Sequence, residues 1–160
     1  MLKRMLVPLV ALAFLAPAAL LAANAGTAKG TITINGKAKT LTHAYAWKDG
    51  ANTTVLLSSA PIDPAAFGDH FALTDLARKD KFTGVQATIT PKGEVTTGTI
   101  YTAAEDGYFD AIGVHEFAGK THTAAAISGK LSTDKEHKFF KTTYAYSAAF
   151  ETPVGPAPKH

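Results

Sequence analysis

The chain has 160 residues, with 16 lysines and arginines against 13 acidic residues, a formal net charge of +3, and no cysteine. Without cysteine there are no disulfides, no thiol nucleophile and no thiolate metal site, so the fold must be held by an apolar core. The basic excess is not a nucleic-acid footprint either, because phosphate backbones require several convergent cations and the chain carries no basic cluster.

The first element in chain order is a targeting signal. Lys3 and Arg4 precede a run from Met5 to Ala22 that is apolar or proline throughout, and Ala23-Asn24-Ala25 sets small residues where a signal peptidase reads. The expectation is a removable secretory signal peptide over residues 1–25, cleaved after Ala25. A membrane anchor of roughly 20 apolar residues is the rival reading. Pro8, Pro17 and the alanine-rich end suit a transient export signal better, and no cysteine is present to carry a lipid. Loss of Lys3 and Arg4 leaves 14 basic against 13 acidic residues, a net charge of +1, with Arg78 as the single arginine. The expected mature protein is therefore periplasmic or secreted, without a stable membrane span and without a nucleic-acid partner.

Residues 29–34 and 37–48 read as two strands joined by Asn35-Gly36, a pair that accepts the positive φ angles of a type I′ hairpin turn. The second strand has two candidate core faces: Leu41, His43, Tyr45 and Trp47 share one parity, and Ala38, Thr40, Thr42, Ala44 and Ala46 the other. Bulk favours burial of the first set. Small residues on the second would permit close sheet packing and leave Tyr45 and Trp47 on a surface. Thr53 to Ser59, with Val55, Leu56 and Leu57 in succession, fits a strand covered on both faces.

Pro61 and Pro64 end that strand, and a short helix is predicted over about residues 69–80. Asp69 is its N-cap, Leu73, Leu76 and Ala77 form its apolar stripe, and Arg78 and Lys79 lie near its negative end. A hairpin follows over residues 83–102, turning at Pro91-Lys92-Gly93, and Glu105-Asp106-Gly107 marks the next turn. Strand signals run from Tyr108 to Phe117 and from Thr121 to Ser132, with a turn predicted at Gly119-Lys120. In the last strand Phe140, Tyr144, Tyr146 and Phe150 share one parity and are expected in the core. Beyond Glu151 the prolines predict a tail.

About eight strands at short, regular spacing with one short inserted helix predict a mainly β protein: an antiparallel β-sandwich, with a barrel as the alternative. The domain is expected over residues 26–152 and a flexible Pro-rich tail over 153–160.

No Gly-x-Ser-x-Gly elbow, Gly-rich phosphate loop or His-Glu-x-x-His motif occurs. Histidine is the remaining chemical handle. A turn at Gly119-Lys120 would pair His122 with Phe117 or, in the other register, Glu116, with His115 nearby. Zinc or copper needs at least three fixed ligands, which would require His43 to approach that hairpin. The expectation is ordinary surface or hydrogen-bonded histidines, and no resident cofactor apart from such a divalent metal. Glu105, Asp106 and Asp110 match no EF-hand spacing and read as a solvated turn. Tyr45 and Trp47 read first as core; on an outer face they would form an aromatic strip for a sugar, peptide or protein.

Gly30-x-Ile32-x-Ile34-Asn35-Gly36-Lys37, His43 to Ala46, Val55-Leu56-Leu57-Ser58-Ser59-x-Pro61, Ile127-Ser128-Gly129, and the ending from Tyr144 and Tyr146 to Phe150 and Pro153 carry a resemblance over most of the mature chain. In these short strand patterns it resembles a group of small exported bacterial β-domain proteins of uncharacterised function. The resemblance implies an exported β domain and supplies no catalytic residue. The functional expectation is an exported, non-enzymatic binding or interaction module that engages a protein or glycan of the cell envelope, with Tyr45 and Trp47 as candidate contacts. The alternatives are a zinc- or copper-binding periplasmic protein, built on His43, His115, Glu116 and His122, or a hydrolase.

Overall fold

A computed structural model describes residues 25–159; the expected signal peptide, apart from Ala25, and the terminal His160 lie outside the described residues. The first hairpin forms as its sequence dictates. β1 (Gly26–Ile34) and β2 (Lys37–Asp49) turn at Asn35 (φ 50°) and Gly36 (φ 74°), both in the left-handed region that a type I′ turn requires. β3 (Asn52–Ser58), β4 (Gly84–Ile89), β5 (Val95–Thr102) and β6 (Gly107–Asp110) continue the meander. They are followed by β7 (His115–His122), β8 (Ala126–Thr133), the short β9 (His137–Phe139) and β10 (Thr142–Gly155).

The ten strands form one curled, half-barrel sheet in the order β6-β5-β4-β3-β2-β1-β10-β8-β7, with β9 against β10. Pairing is antiparallel except where Val154 and Gly155 lie parallel to Ala46 and Trp47. The outermost strands, β6 and β7, are consecutive in the chain, joined by residues 111–114. This connection is tied back to the sheet by Ala111 N–H donating to the Gly98 carbonyl at 2.8 Å.

Two apolar layers result. The concave layer gathers Ile32, Leu41, Val55, Leu57, Ile100, Phe109, Ile127, Leu131, Tyr144, Tyr146 and Phe150. The convex layer covers β2 to β5 with the segment between β3 and β4. That segment contains a 3₁₀ turn (Pro64–Ala66) and α1 (His70–Arg78), and it buries Tyr45, Trp47, Leu56, Ile62, Leu73, Phe82 and Tyr101. α1 starts where Asp69 accepts the Phe71 and Ala72 N–H groups, both at 3.0 Å, and its apolar stripe faces the sheet through Leu73 and Ala77. Val55, Leu56 and Leu57 are wholly buried because β3 has a core on each side. No helix among the described residues is long and apolar enough to cross a membrane.

Four sequence expectations need correction. Gly119 and Lys120 do not turn the chain; they lie inside β7, which bulges against Gly129 in β8. A Cβ on Gly129 would stand 2.3 Å from the Ala118 carbonyl oxygen, so the glycine serves close strand approach. The turn is at Thr123, whose hydroxyl accepts the N–H groups of Ala125 and Ala126. Tyr108 to Phe117 is two strands, β6 and β7, because the chain leaves one sheet edge for the other between them. Phe140 is not core: it sits at φ 49° in the turn before β10 and is 81% exposed. Finally, β10 runs past Glu151 to Gly155, through Pro153, where a tail was expected. Pro153 is tolerated there because its neighbour Val154 supplies the N–H, which donates to the Ala125 carbonyl at 2.9 Å.

Both faces of β2 are buried over Ala44 to Trp47, and neither parity holds throughout. Register with β1 shifts between Thr27 and Gly30, and across this irregularity the inward position passes from Leu41 to Ala44 and Ala46. A shift of one residue exchanges the two faces of a strand. Leu41 therefore joins the concave core, and Tyr45 and Trp47, of the same parity, enter the convex one.

Candidate functional site

Tyr45 and Trp47 do not form an exposed strip: they are only 4% and 5% accessible. Phe67 covers them, with its ring 4.8 Å from Tyr45 and stacked on Trp47 at 5.3 Å and 11°. Tyr45 Oη accepts the Ile62 N–H at 3.0 Å, pinning the segment that leads to α1. His43 stacks beside Tyr45 and pairs with the Thr42 hydroxyl at 2.8 Å.

The structure does not gather His43, His115, Glu116 and His122. His115 and His122 stand at opposite ends of β7, seven residues and roughly 20 Å apart at ~3.3 Å per residue. Their cross-strand partners are Thr133 and Ile127, and that of Glu116 is Ser132. The misplaced turn is the cause, since the predicted grouping needed a hairpin folding back at Gly119. Among the described residues, no three histidines, aspartates or glutamates are grouped to hold a metal ion.

His115 instead joins a half-buried hydrogen-bonded pair on the concave side. Its Nε2 faces the Ala111 carbonyl at 2.6 Å; a carbonyl only accepts, so Nε2 carries the proton and Nδ1 accepts the Tyr146 hydroxyl at 2.7 Å. Burial pushes the His115 pKa down and the Tyr146 pKa up, holding both groups neutral. His122 contacts the Thr53 hydroxyl at 3.4 Å and meets Phe117 edge-on. Its pKa is lowered by burial and by the charge of Lys48.

The convex side carries a recessed cleft that the sequence reading missed. Cross-strand register aligns Trp47 with Thr54 and Thr88 in one row, and Tyr45 with Leu56 and Gln86 in the next. Trp47, Lys48, Asp49, Thr54, Gln86 and Thr88 line about 340 Å³ of space, together with Gly68 and Pro158. That size lies at the small end of the ~300–1,000 Å³ range of ligand sites. The Thr54 and Thr88 hydroxyls pair at 3.0 Å, and Thr54 also approaches the Asp49 carboxylate at 3.4 Å. Gln86 Oε1 is buried, and among the described residues no group donates to it. An unpaired buried carbonyl costs ~1–3 kcal/mol, so a donor reaching Gln86 would stabilise it. One signal in the sequence bore on it: burial of β3 on both faces implies a cover extending over its neighbour β4, which places Gln86 beneath that cover.

Comparison with protein-family models, curated proteins and solved structures finds no match.

Proposed function

We propose that this protein is an exported, non-enzymatic binding module of the cell envelope, and that its ligand is a glycan held in the cleft beside Trp47. The observation that carries the reading is the buried Gln86 Oε1 without a donor, set beside an indole, a carboxylate and two hydroxyls. A sugar hydroxyl donates to such an amide carbonyl and such a carboxylate, while its C–H face packs on an aromatic ring. The hydrophobic leader over residues 1–25 supports a reading of export to a compartment where envelope glycans occur. We read the curled sheet as a barrel left open, in preference to a sandwich; support comes from the short 111–114 connection, which joins its two outermost strands directly.

Trp47 is the only tryptophan in the sequence, so its fluorescence reports on the cleft without interference. Titration of the purified protein with soluble envelope oligosaccharides is expected to give a saturable change in emission. Gln86→Leu and Asp49→Ala should each weaken it about tenfold, the loss of one hydrogen bond to the ligand. Unchanged emission across the oligosaccharides, or equal binding by Gln86→Leu, would sink this reading.

A further inference from the structure

At one end of the curled sheet three hairpin turns converge: β2–β3 at Gly50-Ala51, β4–β5 at Pro91 to Gly93, and β7–β8 at Thr123 to Ala125. Between them lie two depressions of about 310 and 170 Å³ that share Pro91 and His122. Lys92 and Lys120 border the larger, Lys48 and Thr53 the smaller. No carboxylate is among the residues lining either depression.

The nearest acidic residues in sequence do not neutralise this end. Asp49 follows Lys48, yet its carboxylate accepts from Thr54 in the Trp47 cleft, whose lining it shares with Lys48. Glu94 follows the Pro91-Lys92-Gly93 turn and is exposed. Among the described residues the ion pairs are Lys39–Asp80, Arg78–Asp106, Lys79–Asp75 and His137–Asp134. None of them engages Lys48, Lys92 or Lys120. Three lysines and a histidine, carried by β2, the β4–β5 turn and β7 to two adjoining depressions, thus have no ion-pair partner there among the described residues.

We propose that this end of the sheet is an anion site that takes a phosphate or sulfate group, with His122 and the Thr53 hydroxyl on its floor and Lys48, Lys92 and Lys120 around it. Cations arriving from three directions match a tetrahedral oxyanion, which offers oxygens on every side, better than a planar carboxylate, which offers two in one plane. A bound dianion also relieves the repulsion between Lys48 and a protonated His122 ring. The site adjoins the Trp47 cleft, with Lys48 lining both, and does not rest on the glycan reading.

The test is proton NMR of the six histidines in the intact protein, with the His122 ring assigned through His122→Gln. Inorganic phosphate, inorganic sulfate, acetate and chloride are titrated at matched ionic strength. Phosphate and sulfate are expected to raise the His122 pKa saturably, leaving His43 and His137 unmoved. Lys48→Gln and Lys120→Gln should each weaken phosphate about tenfold, as expected for loss of one charge-assisted contact. A parallel arm with glucose 6-phosphate separates an esterified from a free oxyanion: tighter binding of the ester assigns the group to a sugar, equal binding to the free ion. A His122 response to acetate or chloride equal to that of phosphate would overturn the proposal, as would phosphate binding untouched by both lysine variants.

Discussion

The imidazole of His115 fills the space that a side chain at Gly98 would occupy: a Cβ built on Gly98 would stand 1.9 Å from Nε2. Gly98 is on β5 and His115 on β7, so the contact spans the opening of the half-barrel, where no strand pairing holds the two edges together. The ring is fixed there by Ala111 and Tyr146 at its two nitrogens.

Gly98→Ala should therefore destabilise the protein by about 1–3 kcal/mol, the range for overpacking a filled site. Much of that loss should vanish when His115 is replaced by alanine in the same chain, because the added methyl then has room. Urea denaturation of the two single variants and the double variant gives the coupling, expected at about 0.5–3 kcal/mol for residues in contact. Simple additivity would mean that the two side chains do not share this space.

Stability should fall in mild acid because of the same ring. Burial lowers the His115 pKa below its ordinary value of 6.5, so the unfolded chain binds the proton more tightly than the folded one. The contribution is complete above pH 6.5 and is lost as pH falls from there toward the lower folded value. Asp134, whose pKa is depressed below 3.8 by its hydrogen bond to His137, acts in a separate and more acidic window. Thermal unfolding followed between pH 7.5 and 5 should show a declining midpoint, and His115→Gln should flatten that slope. An unchanged slope in the variant would assign the acid sensitivity elsewhere.

The Tyr45 hydroxyl anchors the start of the convex cover through Ile62. In Tyr45→Phe the ring packing is retained while a buried N–H loses its acceptor, at a cost of about 1–3 kcal/mol. Because Ile62 precedes α1, amide hydrogen exchange should rise in residues 60–78 more than in the concave strands. Uniform acceleration across the sheet would show that the cover and the sheet open as one unit.

Local chemistry was readable where one residue type answers one backbone demand. Asn35-Gly36 has few alternatives to a tight hairpin, Asp69 caps a helix start, and three consecutive large apolar residues at 55–57 need cover on both sides. The strand parity of Tyr45 and Trp47 could not be followed from Leu41, because the register shift opposite Thr27 to Gly30 arises from pairing with β1. Gly119 misled because glycine serves a bulge and a turn equally well, and only the facing Gly129 distinguishes them. That one error moved His122 to the wrong end of its strand and with it the metal cluster weighed as the alternative. The cleft depends on register across β2, β3 and β4, and no local pattern around Gln86 announces it.

β10 lies between β1 and β8 and pairs Phe150 with Ala28 on one side and with Gly129 on the other. The two wings of the sheet are thus stitched together by a strand synthesised after the other nine described, across more than a hundred intervening residues on one flank. A ribosome that has released everything up to Lys141 has produced the wings but not the seam. Nascent chains at that stage expose the mating edges of β1 and β8, and holding those edges apart from other chains until the seam arrives is the hazard this topology sets for its own biogenesis.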